Sequence, residues 1–157
     1  MKTKIPKYTP EKCECCGQSL TYASHVNKGM AKMMIQIANF LTEKGQNVFH
    51  PEKELVQQGY FTGVQRANII HLKAHGFVAK HKEPGNWVMT KKGSRFLRGE
   101  EIPKTAIRSK RPPRHTIGYL EHMCTIKDVL KSSDHYWAGF DYEVFNGRVV
   151  TQDIEQL

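Results

Sequence analysis

PEKELVQQGYFTGVQRANIIHLKAHGFVAKHKEPGNWVMTKKGSRFLRGE, residues 51–100, changes its hydrophobic rhythm along its length and so decides the fold. Pro51 suits a first helical position, where its missing N–H would go unbonded anyway. The helix it opens runs through Glu52, Lys53, Glu54, Leu55 and Val56 until Gly59 ends it. Thr62 reads as the N-cap of the next helix, which carries Val64, Ile69, Ile70 and Leu72 and stops at Gly76. Only Gly59, Tyr60 and Phe61 separate the two. Short helices joined by a tight turn containing glycine form a helix-turn-helix. The rhythm then shortens: Phe77 to Lys82 and Trp87 to Thr90 read as strands, with turn chemistry throughout Glu83-Pro84-Gly85-Asn86 between them. Thr90 caps a last helix over residues 91–98.

Upstream, Met30, Met33, Met34, Ile37, Phe40 and Leu41 recur at helical spacing. Ser24 or Asn27 serves as N-cap, and Lys44-Gly45 as the stop. Such a methionine stripe is core. Three helices, a β-wing and a further helix make residues 24–101 an α+β winged helix-turn-helix domain.

Residues 72–100 resemble the end of the recognition helix, the wing and the following helix of winged helix-turn-helix proteins, best at Phe77-Val78 and over residues 89–97. The longer arrangement resembles small proteins of phages and mobile elements, in which a Cys-x-x-Cys-Gly segment precedes a His, Asn, Lys, Gly signature. Here those residues are Cys13, Cys16, Gly17, His25, Asn27, Lys28 and Gly29. The resemblance spans residues 13–105 and implies a fold; activity is a separate matter.

Three of the four cysteines crowd at Cys13, Cys15 and Cys16, a poor disulfide framework that reads more naturally as metal binding. The spacing of Cys13 and Cys16 lets two thiolates reach one tetrahedral Zn²⁺, with Gly17 permitting the turn beneath. This knuckle, within residues 1–23, is half a site. His25 is the candidate third ligand and the His122/Cys124 pair the alternative, although Cys124 reads equally as a buried small hydrophobe. A zinc ion held here would be structural, since no His-Glu-x-x-His set occurs.

Residues 102–115 hold five bases, no acids and three prolines and read as a linker or extended arm. Beyond it, residues 116–157 read as an acidic, β-rich tail. Asn146-Gly147, between Phe140 to Phe145 and Arg148 to Thr151, predicts a hairpin pairing Val144 with Val149 and Tyr142 with Thr151.

At 157 residues the chain has the length of one domain with a small appendage. Its 39% hydrophobic and 25% charged content excludes a disordered chain, a collagen repeat and a coiled-coil rod. No transmembrane span or signal peptide can be drawn, so a cytoplasmic protein without a membrane partner is expected. The charge is more telling. Residues 116–157 carry seven acids and three bases, a net of −4, against a chain total of +9, leaving +13 on residues 1–115. A basic body of this kind suits a polyanionic partner, most often nucleic acid.

The helix after Thr62 is the candidate reading element: Gln65, Arg66, Asn68 and Lys73 carry the chemistry that pairs with base edges and phosphates. Lys80 and Lys82 on the wing, and Lys104, Arg108, Lys110, Arg111 and Arg114 on the arm, would contact phosphate. Ala67, Ile70 and Ala74 form a mildly apolar strip. His71 and His75 read as solvated helical histidines. No phosphate loop, nucleophile elbow or paired carboxylates point to an enzyme. The expected function is binding of duplex DNA, as a phage or mobile-element regulator or accessory factor. The alternative is a protein-interaction module, such as a phage inhibitor of a host nucleoprotein machine or defence complex (an anti-CRISPR, for example). A homodimer would suit either.

Overall fold

The computed structural model describes residue 10 and residues 12–111, 114–131 and 140–153. The basic start (residues 1–9), Pro112-Pro113 of the expected arm, and Asp134 and Glu155 of the acidic tail lie outside the described residues.

Lys28–Lys44 form α1, whose N-cap is Asn27 rather than Ser24: the Asn27 side-chain oxygen accepts from the Met30 N–H at 3.0 Å. Gly45 closes the helix in the left-handed conformation. The methionine stripe is core, and Ala31, Ile35 and Ala38 are buried with it, so α1 is covered on more than one side. After β2 (Val48–Phe49), Pro51–Val56 form a single π-helical turn with Leu55 fully buried. His50 fastens its start: Nδ1 accepts from the Lys53 N–H at 3.1 Å, and the His50 N–H donates to Glu54 Oε1 at 2.9 Å.

The helix expected after Thr62 is two, α2 (Gly63–Ala67) and α3 (Ile69–Ala74), broken at Asn68 with φ −87° and ψ 1°. The Asn68 N–H is shared between the Val64 and Gln65 carbonyls, a tightening that ends α2 early. β3 (Val78–Lys80) and β4 (Trp87–Met89) form the expected antiparallel hairpin, and β2 joins the far side of β4. Thr90 caps α4 (Lys91–Arg98), its Oγ1 accepting from the Gly93 N–H at 3.0 Å. Phe96 stacks on Phe77 with ring centroids 4.6 Å apart.

Two expectations are overturned. Residues 102–115 are not a linker: β5 (Ile102–Pro103) pairs with β8 (Met123–Cys124), while β6 (Thr105–Ser109) is the middle strand between β1 (Thr21–His25) and β7 (Thr116–Tyr119). Thr105, Ala106, Ile107 and Arg108 are buried, because strands on both sides of β6 satisfy its backbone. Nor is the tail a hairpin. Tyr142–Arg148 form a helix, α6, capped by the Asp141 carboxylate on the Val144 N–H at 3.2 Å. Asn146 and Gly147 lie inside it. Tyr142, Phe145 and Val149 recur at helical spacing and pack into the core, and α6 touches both α1 and α4. A short helix α5 (Ile126–Leu130) also covers α1. The chain end then returns beside α4, where Gln152 accepts from the Lys91 N–H at 2.8 Å and donates to the Met89 carbonyl at 3.0 Å.

Six α-helices and three small antiparallel sheets among the described residues make this an α+β protein. Among those residues no helix is long and apolar enough to cross a membrane.

Two glycine substitutions test this packing with opposite signs. A Cβ on Gly93 would lie 2.3 Å from the Phe77 carbonyl oxygen and 2.8 Å from Met34 Cε, so Gly93→Ala should cost about 1–3 kcal/mol in urea denaturation. A Cβ on Gly147 meets nothing within 4 Å, so Gly147→Ala should stabilise by roughly 0.5–1 kcal/mol. In an Asn-Gly hairpin turn the second change would destabilise instead.

Candidate nucleic-acid interface

α2 begins in a reciprocal cap, in which Thr62 Oγ1 accepts from the Gln65 N–H at 3.1 Å and Gln65 Oε1 accepts from the Thr62 N–H at 2.9 Å. Gln65 Nε2 also donates to Gln36 Oε1 at 3.0 Å, so this side chain is engaged within the fold. Arg66 Nε lies 2.8 Å from Glu52 Oε2. That pair is about half exposed and worth no more than about 1 kcal/mol, so a phosphate could displace the carboxylate. Asn68 and Lys73 are exposed. So are Val64 (72%), Ala67 and Ile70 (50%), making the outer side of the segment more apolar than its cations suggested. Ala74, the third member of the expected strip, is buried.

The inner side of α3 holds groups the sequence reading missed. His75 is fully buried and stacks on Phe77, its Nε2 is 3.4 Å from Ser24 Oγ, and its Nδ1 has no hydrogen-bond partner. Burial, then the charges of Lys92 and Arg108, push its pKa down to about 4. Half-buried His71 is shifted the same way, by burial and then by Arg108. The expectation of two solvated histidines is therefore corrected. The signal was available: Ile69, Leu72 and His75 continue one stripe at spacings of three.

Arg108 is 5% exposed. Its Nη1 donates to His71 Nδ1 at 3.2 Å, its Nε donates to the Arg114 carbonyl at 3.1 Å, and its guanidinium lies 5.4 Å from the Tyr22 ring. It is thus a strut between α3 and the β6–β7 turn, and its burial corrects its place among the expected phosphate contacts. Thr116 Oγ1 adds a second tie, to the Ala74 carbonyl. Lys110, Arg111 and Arg114 stand exposed on the turn so held. On the other side, Lys73 has its pKa lowered by burial and by the nearby charge of Lys80, and Lys80 and Lys82 are exposed on the β3–β4 hairpin. His71 and Lys73, about 200° apart around a helix, thus lead from α3 to two separate groups of cations. Lys104 stands apart from both, half-buried near Cys124.

A second cationic region lies along α4. A cleft of about 570 Å³ is lined by Thr90, Lys91, Lys92, Arg95 and Tyr119, among others. The Lys92 ammonium sits 4.1 Å from the Tyr119 ring centroid, and burial followed by the charge of Arg95 brings its pKa down to about 8.

At the N-terminal segment, the N–H groups of Cys15 and Cys16 reach the Cys13 sulfur and draw its pKa below the ordinary thiol value. His25 does not gather with the cysteines in a three-donor cluster, and its Nδ1 is hydrogen-bonded to Thr105 Oγ1 at 2.7 Å. Cys124 is buried, and burial raises its pKa to about 11. Among the described residues no three His, Cys, Asp or Glu side chains gather to hold a metal.

The chain matches no protein-family model, no curated protein and no solved structure.

The His75 environment sets a pH dependence. Its folded pKa of about 4 lies below its ordinary 6.5, so the unfolded chain binds the proton more readily between these values. Stability should be full above about pH 6.5 and fall by roughly 3 kcal/mol as pH drops to about 4. Urea midpoints across that window measure the fall, and His75→Leu should remove most of it.

Proposed function

We propose that this chain is a winged helix-turn-helix protein that binds duplex DNA, with α2–α3 entering the major groove and phosphates gripped on either side. The element order α1, β2, π-helical turn, α2–α3, β3, β4 supports the winged reading, as does the strand order β2-β4-β3. The observation that carries the functional reading is the distribution of charge: exposed Lys73 of α3 lies near exposed Lys80 of the β3–β4 hairpin, and Arg108 ties His71 of α3 to the turn that carries exposed Lys110, Arg111 and Arg114. Two groups of cations linked to a helix whose outer face is exposed would fit the two phosphate backbones that wall a groove.

Direct readout then falls to Asn68, to Arg66 once released from Glu52, and to the apolar group Val64, Ala67 and Ile70. Apolar side chains in a major groove meet the 5-methyl of thymine. Binding of this kind needs no catalytic residues, and a role as a phage or mobile-element regulator or accessory factor suits it.

Fluorescence anisotropy on duplex DNA tests the reading. Affinity should fall steeply with salt, and reversal of Lys110, Arg111 and Arg114 to Glu should lower the log–log slope by about 3. Sites selected from a random pool should be enriched in thymine, and replacing it by deoxyuridine should cost about four-fold per contacted methyl. Salt-independent affinity, or none, would sink the proposal.

The same apolar group favours a second reading, a module docking on a protein of a host nucleoprotein machine or defence complex. A defined partner retained after nuclease treatment and lost with Ile70→Asp would select it.

A further inference from the structure

We propose that the Cys13–Gly17 segment is half of a zinc site completed by a second copy of this chain, with one tetrahedral Zn²⁺ held by Cys13 and Cys16 of each protomer. The segment is already folded into a tight turn. Lys12 and Ser19 form an antiparallel bridge, the Cys13 N–H donates to the Gln18 carbonyl at 2.7 Å, and the Gly17 N–H donates to the Cys13 carbonyl at 2.8 Å. Gly17 has φ +72°, which a side chain would strain.

Such a turn supplies two ligands, and structural zinc takes four. Among the described residues no third His, Cys, Asp or Glu gathers with Cys13 and Cys16 to hold a metal, and Cys124 is buried in β8 opposite Ile102. Cys15 and Cys16 are exposed, so the open side of the knuckle faces solvent. A tetrahedron has two-fold axes that exchange its ligands in pairs, so an isologous pair of identical knuckles generates the whole site. Charge favours the pairing too. Each chain carries +9, and Zn²⁺ with four thiolates has a net charge of −2, set between two bodies that otherwise repel.

The test is native mass spectrometry of the full chain under reductant, before and after addition of Zn²⁺. The expected result is one zinc per two chains, with dimer forming on zinc addition and dissociating with chelator. Cys16→Ser should abolish both metal and dimer while far-UV circular dichroism stays unchanged, and Cys15→Ser should retain both. Co²⁺ in place of zinc should give the visible spectrum of four-thiolate tetrahedral coordination. One zinc on a monomer, no zinc bound, or a zinc-loaded dimer surviving Cys16→Ser would each overturn the proposal.

Discussion

Nine of the seventeen residues of α1 are buried, and no one neighbour can cover a helix apolar around so much of its circumference. That requirement organises the rest. α4, α5 and α6 each lie against α1, drawn from well separated parts of the chain. Within this arrangement Gly93 lets α4 approach the Phe77 backbone, and the stacked Phe77 and Phe96 rings extend the core toward the β3–β4 hairpin. The helical tail follows from the same need. A hairpin would send alternate residues to opposite faces, whereas the helix and its C-cap bring Tyr142, Phe145 and Val149 together onto the core between α1 and α4.

Arg108 links this scaffold to the candidate interface. Burying a guanidinium is costly unless its donors are used and its charge is compensated. Here His71, the Arg114 carbonyl and the Tyr22 ring face it, but no carboxylate does so among the described contacts. Its positive charge lies beneath α3, where it adds to the effect of burial in lowering the pKa of His71 and, after burial and Lys92, that of His75, and it adds to the potential of the exposed lysines and arginines above.

Local signals were legible where the backbone obeys its neighbours in sequence. Asn27 and Thr62 cap as their types suggest, Gly45 stops α1, and the Pro84-Gly85 turn joins two real strands. What could not be read was settled by residues far away. Asn146-Gly147 has a hairpin preference worth less than the core that α6 completes. The basic, proline-containing stretch after Ile102 resembles a linker because its strand partners lie about eighty positions earlier, at Thr21–His25, and at Thr116–Tyr119 after it. Arg66 illustrates the same limit at the interface: composition identifies a cation, but only the fold brings Glu52 to it.

The return of Gln152 onto the start of α4 also has a kinetic meaning. Gln152 bonds to Met89 and Lys91 about sixty positions earlier in the chain, and Val149 joins the core around α1 about a hundred positions after that helix. Each closure must order a long loop before its contacts offset the entropy, so this seam of the core assembles late and slowly in folding.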